Sequence, residues 1–312
     1  MKSWQATSIG RTVNADCRQS KSEEFVSTND ELRRKELPNA MTVDVEDYFQ
    51  VSAFDRHISR EDWNSIPSRI ASNVERILEL FEQEKVRATF FTLGWVCERF
   101  PEIVRAIAAA GHEIASHGHE HARVWTFSKE QFRRDVEGTR KLLEDTSGTS
   151  VVGYRAPSFS IGQETLWAYD VLQEAGYSYS SSVFPILHDH YGMPNAPRFP
   201  FRSSFDALLE IPMSTLPFLG RNWPCSGGGY FRLLPLKYSM WAVRRINELE
   251  QMPAVFYFHP WEMDPDQPRI EGISAKARFR HYVNLDKFEF GLTRMLQTFA
   301  WDRMDRIFLG HS

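Results

Sequence analysis

The sequence predicts an α/β protein built on a parallel sheet, and three observations carry that reading. From Ala40 onward, short apolar or β-branched runs alternate with segments of helical period. The rhythm strand, helix, strand repeats, which implies βαβ units. Polar groups of chemical interest stand at the C-terminal ends of four runs, the rim where α/β proteins bind ligands.

The elements follow in order. AMTVDVEDYF, residues 40–49, reads as a strand with an acidic end. Between Pro67 and Lys85, Ile70, Val74, Ile77, Leu78 and Phe81 fall on one helical face. Arg87 to Gly94 is a strand rich in aromatic and β-branched residues, and Pro101 opens a helix for which Gly111 is the cap. HEIAS, residues 112–116, is a strand, Ser128 to Asp145 a helix, VVGYRAP, residues 151–157, a strand, and Gln163 to Ala175 a helix stopped by Gly176. Residues 185–234, with many Pro and Gly, read as loop insertions over one face, with one strand at Leu208 to Met213. A helix from Lys237 to Glu250, the strand PAVFYFHP, residues 253–260, a helix near Leu285 to Phe299 and a last apolar run, RIFLG, residues 306–310, complete the pattern.

Residues 1–38 are polar and lack a sustained period, so they read as a disordered or loosely packed leader before a single domain over 39–312. The 312 residues include 37 Lys and Arg against 41 Asp and Glu, a formal charge of −4. That balance excludes nucleic acid held by bulk charge. Cys17, Cys97 and Cys225 are an odd set without metal-ligand spacing, which supports neither a disulfide framework nor a thiolate zinc site. No signal-peptide core and no transmembrane-length apolar run is visible, so the expected location is cytoplasmic. Nine Trp, ten Tyr and 23 Phe are an aromatic excess, and some of those rings have room for a surface role.

The chemistry gathers at the strand ends. The first strand ends in Asp44, Glu46 and Asp47, which repel one another unless a cation or proton intervenes. His117 and His121 stand four apart in SHGHEH. In a helical turn they would share one face, close enough to bind one ion, while His119 would point away. A carboxylate from the first strand would complete a set of two histidines and one acid, leaving positions open. The sequence leaves that ligand between Glu46 and Asp47. Taken alone, His259 reads as a core histidine; on the same rim as a metal and a carboxylate it becomes a candidate general acid. Arg155 is placed to orient a carboxylate base. Trp223, Tyr230 and Phe231 flank the glycine run 227–229 and Trp261 follows His259 by two, so Trp223, Tyr230 and Trp261 are candidates for stacking on sugar rings. Trp95, Trp167 and Trp241 read as core.

Taken together, TVDVED, GHEIASHGHEH, YRAPSF and FYFHP resemble, in this order, the motifs of the polysaccharide deacetylases of the NodB-homology group, carbohydrate esterase family four. DVEDYF, RAPSFS, SSVFP and GGGYFRLLP look most like a bacterial branch associated with exopolysaccharide gene clusters and exosortase systems. The resemblance implies a distorted (β/α)7 TIM-like barrel that removes acetyl groups from N-acetylhexosamines. It implies Asp44 as base, Glu46 or Asp47 with His117 and His121 as the site of a divalent metal ion, zinc above others, Arg155 as the residue positioning the base, and His259 as acid. It adds a backbone N–H near Ser158 that helps hold the oxyanion. The expected partners are an N-acetylated polysaccharide or oligosaccharide and an exopolysaccharide assembly system, with an inner membrane face reconciling a polymer precursor with the absent signal peptide. Two departures stand out: Val45 separates the acids of the first motif, and Ser180 occupies the place where the family commonly has an aspartate tuning the acid histidine. Asp206, Glu210 or Glu262 are the candidates to replace it. Competing readings are a metal-dependent amidase or imidase or an O-acetyl esterase acting on a small substrate, and a glycan-binding protein without catalysis.

Overall fold

In the computed structural model, residues 37–188, 191–202 and 208–311 are described; Cys17, Asp206 and all but the last two residues of the expected leader lie outside them. The strands in chain order are β1 (Asn39–Val45), β2 (Thr89–Thr92), β3 (Glu113–Ser116), β4 (Gly153–Tyr154), β5 (Tyr179–Ser180), β6 (Phe201–Arg202), β7 (Leu209–Glu210), β8 (Thr215–Phe218), β9 (Arg221–Pro224), β10 (Val255–Phe258) and β11 (Trp301–Asp302). Nine of them form one curled, half-barrel sheet in the order β10, β1, β2, β3, β4, β5, β7, β6, with β11 pairing to the start of β1. Every pairing in it is parallel except β6 with β7.

Alternation along the strands sorts side chains between two cores. Met41, Val43, Val45, Phe90, Ile114, Tyr154, Phe256 and Phe258 face the helices. Ala40, Phe91, Ala115, Tyr179, Val255 and Tyr257 fill the inside of the curl. β1 is buried along its whole length because both faces are covered, as expected of a parallel strand.

The helices are α1 (Ile70–Gln83), α2 (Gly94–Arg99), α3 (Pro101–Ala109), α4 (Lys129–Ser147), α5 (Trp167–Glu174), α6 (Gly228–Leu233), α7 (Leu236–Leu249), α8 (Ala275–Tyr282) and α9 (Phe288–Thr298). α1 buries Ile70, Val74, Ile77 and Phe81, the stripe legible in the sequence. A capping box between Ser128 and Gln131 starts α4, and Gly148 in the left-handed region ends it.

Several expectations need correction. The apolar run 306–310 falls in a helical turn, Asp305–Leu309, and the last strand lies just before it. The strand expected over 87–94 stops at Thr92, because Gly94 already opens α2. Residues 185–234 hold more than the one strand expected, namely the β8–β9 hairpin and α6 as well as β6 and β7. α8 carries too few apolar residues to announce itself, with only His281 buried. Trp241 is half exposed on α7 rather than in the core.

At the start of β3, Glu113 points into the interior and accepts hydrogen bonds from the Thr89 hydroxyl (2.5 Å), the Tyr179 hydroxyl (2.9 Å) and Asp305 N–H (3.2 Å). Burial, reinforced by Asp305, pushes its carboxyl well above the usual range. The folded chain therefore keeps a proton that the unfolded chain has lost, and stability falls as pH rises above the ordinary value of 4.5. Urea denaturation from about pH 5 upward should show this decline, at most about 1.4 kcal/mol per pH unit, and Glu113→Gln should flatten it.

Candidate active site

The same alternation that fills the interior delivers the functional side chains. Asp44 continues the inward set begun by Ala40 and Thr42; His117 follows Ala115, Arg155 follows Gly153, and His259 follows Tyr257. Each stands at or just past the C-terminal end of its strand, so they converge on one rim.

Past β1 the chain turns sharply, with Glu46 N–H donating to the Asp44 carbonyl at 3.0 Å. The turn separates the two acids that the sequence left as alternatives. Glu46 faces the histidines: its Oε2 lies 2.9 Å from His121 Nε2 and its Oε1 3.2 Å from His259 Nε2. Asp47 turns the other way. Its carboxylate accepts from Tyr48 N–H (2.9 Å), the Ser68 hydroxyl (2.6 Å), Arg69 N–H (2.8 Å) and Ile70 N–H (3.2 Å), at the start of α1. Of the two acids left open by the sequence, Asp47 thus binds the start of α1 through its carboxylate and Glu46 is the one grouped with the histidines.

His117 and His121 do meet, with ring centroids 5.4 Å apart, but not on a helix. Gly118 at φ +73° and His121 at φ +54° bend the segment into an irregular loop that brings the rings together. His117 Nδ1 donates to the Arg155 carbonyl at 2.8 Å, which leaves Nε2 free as a ligand. His119 turns outward toward Glu98, 3.4 Å away.

Glu46, His117 and His121 each offer a ligand atom, and these atoms lie within 4.8 Å of one another. Although His121 Nε2 is close, the buried Glu46 Oε2 receives no hydrogen bond. Burial alone would raise the Glu46 carboxyl, yet His121, His259 and His117 around it bring it down to about 2. Burial lowers His117 to about 4, against the pull of Asp44 and Glu46. At neutral pH the donor set is thus a carboxylate with a lone pair to spare and a neutral imidazole, and these residues fit a divalent cation.

Arg155 is wholly buried and reaches across the interior. It donates to Asp44 Oδ1 (2.5 Å), the Thr42 hydroxyl (2.9 Å), the Ser181 carbonyl (3.1 Å) and the Ser181 hydroxyl (3.0 Å), with its guanidinium 4.0 Å over the Phe91 ring. After it the chain passes through Ser158 and Phe159, both left-handed at φ +54° and +48°, strain of about 1–2 kcal/mol per residue that is characteristic of functional turns. The Ser158 hydroxyl pairs with that of Ser52.

His259 is bracketed by a second network. Its backbone N–H and its Nδ1 both lie 3.0 Å from Glu262 Oε2, and Glu262 Oε1 accepts from Arg232 Nε at 2.8 Å. Burial would lower the His259 imidazole, but Glu46, Glu262 and Asp44 raise it to about 9. Of the three acids considered as replacements at Ser180, Glu262 is the one against His259. Glu210 instead accepts from Ser182 and Val183 N–H, and Asp206 lies outside the described residues.

The aromatic candidates separate. Trp261 is 4 % exposed and sandwiched between His259 (5.1 Å, 14°) and His281 (4.2 Å, 16°), so neither face is free for a sugar. Trp223 is half exposed on β9, its ring against Phe218 across the hairpin. Tyr230 joins a wall with Phe184 and Tyr257, and Tyr257 reaches the His259 ring at 5.8 Å. Sequence reasoning missed Trp125, half exposed four residues after His121, with Arg123 5.7 Å over its ring. It also missed Arg232, which no motif announces. A cleft of about 910 Å³ floored by Phe49, Trp63 and Trp95 runs up to Glu120, next to His121.

These features gather a carboxylate and histidine cluster on the rim of a curled α/β sheet, and comparison with known proteins finds two family matches. Residues 61–180 match the polysaccharide deacetylase family, and residues 181–309 match a domain of unknown function, DUF3473. Residues 61–180 thus have the pattern of a polysaccharide deacetylase domain. A peptidoglycan-N-acetylglucosamine deacetylase of Bacillus cereus is 34% identical over 94 residues, 30% of this chain and 34% of that protein. A chitooligosaccharide deacetylase of Sinorhizobium fredii is 26% identical over 141 residues, 45% of this chain and 59% of that protein. The matches thus span between about a third and three fifths of these relatives. Among solved structures, a Mycobacterium smegmatis protein assigned to the polysaccharide deacetylases has a TM-score of 0.52 at 20% identity, covering 88% of this chain and 90% of that one. Puue allantoinase has a TM-score of 0.55 at 16% identity, covering 86% and 88%. Both likenesses are of fold, and they agree with the distorted barrel expected from the sequence.

The separation of Glu46 from Asp47 gives a direct check. Glu46→Ala should abolish stoichiometric divalent-metal binding measured by mass spectrometry of the dialysed protein. Asp47→Ala should keep the metal and lower stability in urea by about 1–3 kcal/mol, having stranded buried donors.

Proposed function

We propose that the protein hydrolyses the acetamide of N-acetylhexosamine units in a glycan, of the exopolysaccharide type or its precursor. The observation that carries this reading is an Arg155-clamped Asp44 beside the Glu46, His117 and His121 cluster, with His259 on its other side. A divalent cation held by Glu46, His117 and His121, zinc being the ion best suited to two imidazoles and a carboxylate, supplies Lewis acidity toward the reacting oxygens.

The chain's own residues do the rest. Arg155 holds Asp44 in one orientation, and Asp44 takes a proton from the water that attacks the acetamide carbon. Charge develops on the former carbonyl oxygen, and we assign a backbone N–H of the left-handed turn at Ser158 to meet it. His259 gives its Nε2 proton to the sugar nitrogen as the C–N bond breaks. Water and an acetamide thus yield acetate and a free amine, turning a neutral glycan into a cationic one.

A polymer rather than a small amide is our reading, and the aromatic-lined cleft of Phe49, Trp63 and Trp95, which reaches Glu120 beside His121 in the chain, gives a long substrate room next to the site. Tyr230 and the exposed Trp125 are the rings we assign to sugar contact; Trp223, on the hairpin, has the exposure for it.

Zinc-loaded protein incubated with chitin oligomers should release acetate, read by an enzyme-coupled assay. Asp44→Asn should lower the rate about 10²-fold or more while keeping its metal. Wild-type protein that holds zinc yet releases no acetate from any N-acetylhexosamine oligomer would sink the reading.

A further inference from the structure

Ser180 stands where the family pattern places an aspartate for the acid histidine, and its hydroxyl is committed to Ser182 at 2.8 Å. The structure assigns that task to Glu262: held by Arg232, it is the positioning carboxylate of His259, and the segment matched only to a domain of unknown function supplies the whole device. This inference rests on the deacetylase reading above.

Glu262 is fully buried, and each of its oxygens has a separate duty. Oε2 receives the backbone N–H and Nδ1–H of His259; Oε1 receives Arg232 Nε. With its proton fixed on Nδ1, His259 presents Nε2 toward Glu46. Arg232 is anchored in turn, since its remaining nitrogens donate to the carbonyls of His281 (2.8 Å), Val283 (2.8 Å) and Arg280 (3.3 Å) around the end of α8. Trp261, stacked on His259 and His281, fixes the plane of the ring.

The glycine run makes room for this arrangement. A Cβ on Gly228 would lie 1.8 Å from Glu262 Oε2, and one on Gly227, at φ +97°, would lie 2.5 Å from the Tyr257 ring. α6 therefore packs against the carboxylate because its first residue has no side chain. A buried charged pair contributes little net stability against an apolar pair of equal volume, so packing alone does not account for it. Orientation of His259 does. When Nε2–H breaks and the amine N–H forms, the neutral imidazole left behind is the Nδ1–H tautomer that Glu262 already holds.

The experiment compares zinc-loaded wild type with Glu262→Gln and Gly228→Ala on two substrates, a chitin oligomer and 4-nitrophenyl acetate. Glutamine has one acceptor oxygen where Glu262 uses two, so it mispairs with either His259 or Arg232. Gly228→Ala displaces the carboxylate without changing any charge, and it carries the test if the first variant fails to fold. Both should lower kcat on the oligomer about 10²-fold with KM within about three-fold. The aryl ester should lose less than about three-fold, because nitrophenolate leaves without a proton. Recorded at alkaline pH, where the ring is neutral, the ¹⁵N spectrum of His259 should show the Nδ1–H tautomer in wild type and its loss in the variants. Equal loss on both substrates, or an unchanged oligomer rate, overturns the assignment. If wild type releases no acetate from the oligomer, the deacetylase reading fails on its own, and the ring spectrum alone then decides whether Glu262 sets the tautomer.

Discussion

The structure depends on how it accommodates one buried guanidinium. A cation inside a protein is tolerated only when paired and hydrogen-bonded. Arg155 meets that requirement from three strands at once: Asp44 and Thr42 of β1, Ser181 just past β5, and the face of Phe91 on β2. Its own carbonyl holds His117 Nδ1. One residue therefore orients Asp44 with its side chain and His117 with its backbone. The geometry of the rim is inseparable from the closure of the interior, since losing Asp44 would leave Arg155 an uncompensated charge at the centre of the curl.

Much of this rim was legible because strands alternate. Once AMTVDV, HEIAS, VVGYRAP and PAVFYFHP are read as parallel strands, inward parity at Ala40, Ala115, Gly153 and Tyr257 carries on to Asp44, His117, Arg155 and His259. What escaped the sequence lies where parity ends. The choice between Glu46 and Asp47 depends on a turn closed by Glu46 N–H on the Asp44 carbonyl, and on donors at Ser68 to Ile70 that are distant in the chain. The HxxxH spacing suggested a helix, yet Gly118 and His121 in left-handed conformations reach the same result through a loop. Trp261 looked like an exposed ring because the helix covering it, α8, has almost no apolar stripe.

Electrostatics explains why the acids divide their labour. Asp44, Glu46 and Asp47 are too close together to share one environment. Asp44 is matched by a permanent cation, Glu46 by imidazoles, and Asp47 by neutral N–H and O–H donors. For Asp47 burial outweighs those donors and raises the carboxyl, whereas the histidines around Glu46 reverse the effect of burial. A cation arriving at Glu46 and His117 finds one ligand already ionised and the other already neutral, so neither must shed a proton to bind it.

The two family matches divide the chain at residue 180, but the site does not respect that division. His117, His121 and Arg155 fall in the deacetylase match, His259, Glu262 and Arg232 in the other, and Asp44 and Glu46 precede both. β1 lies between β2 and β10, so the strand bearing Asp44 is hydrogen-bonded on one side to each matched segment. Leu37–Ser312 accordingly forms one compact unit. Residues 181–309 are therefore not an appendage to a finished catalytic module. Without β10 the sheet would lose the neighbour of β1, and the cluster around Glu46 would lose the histidine facing it.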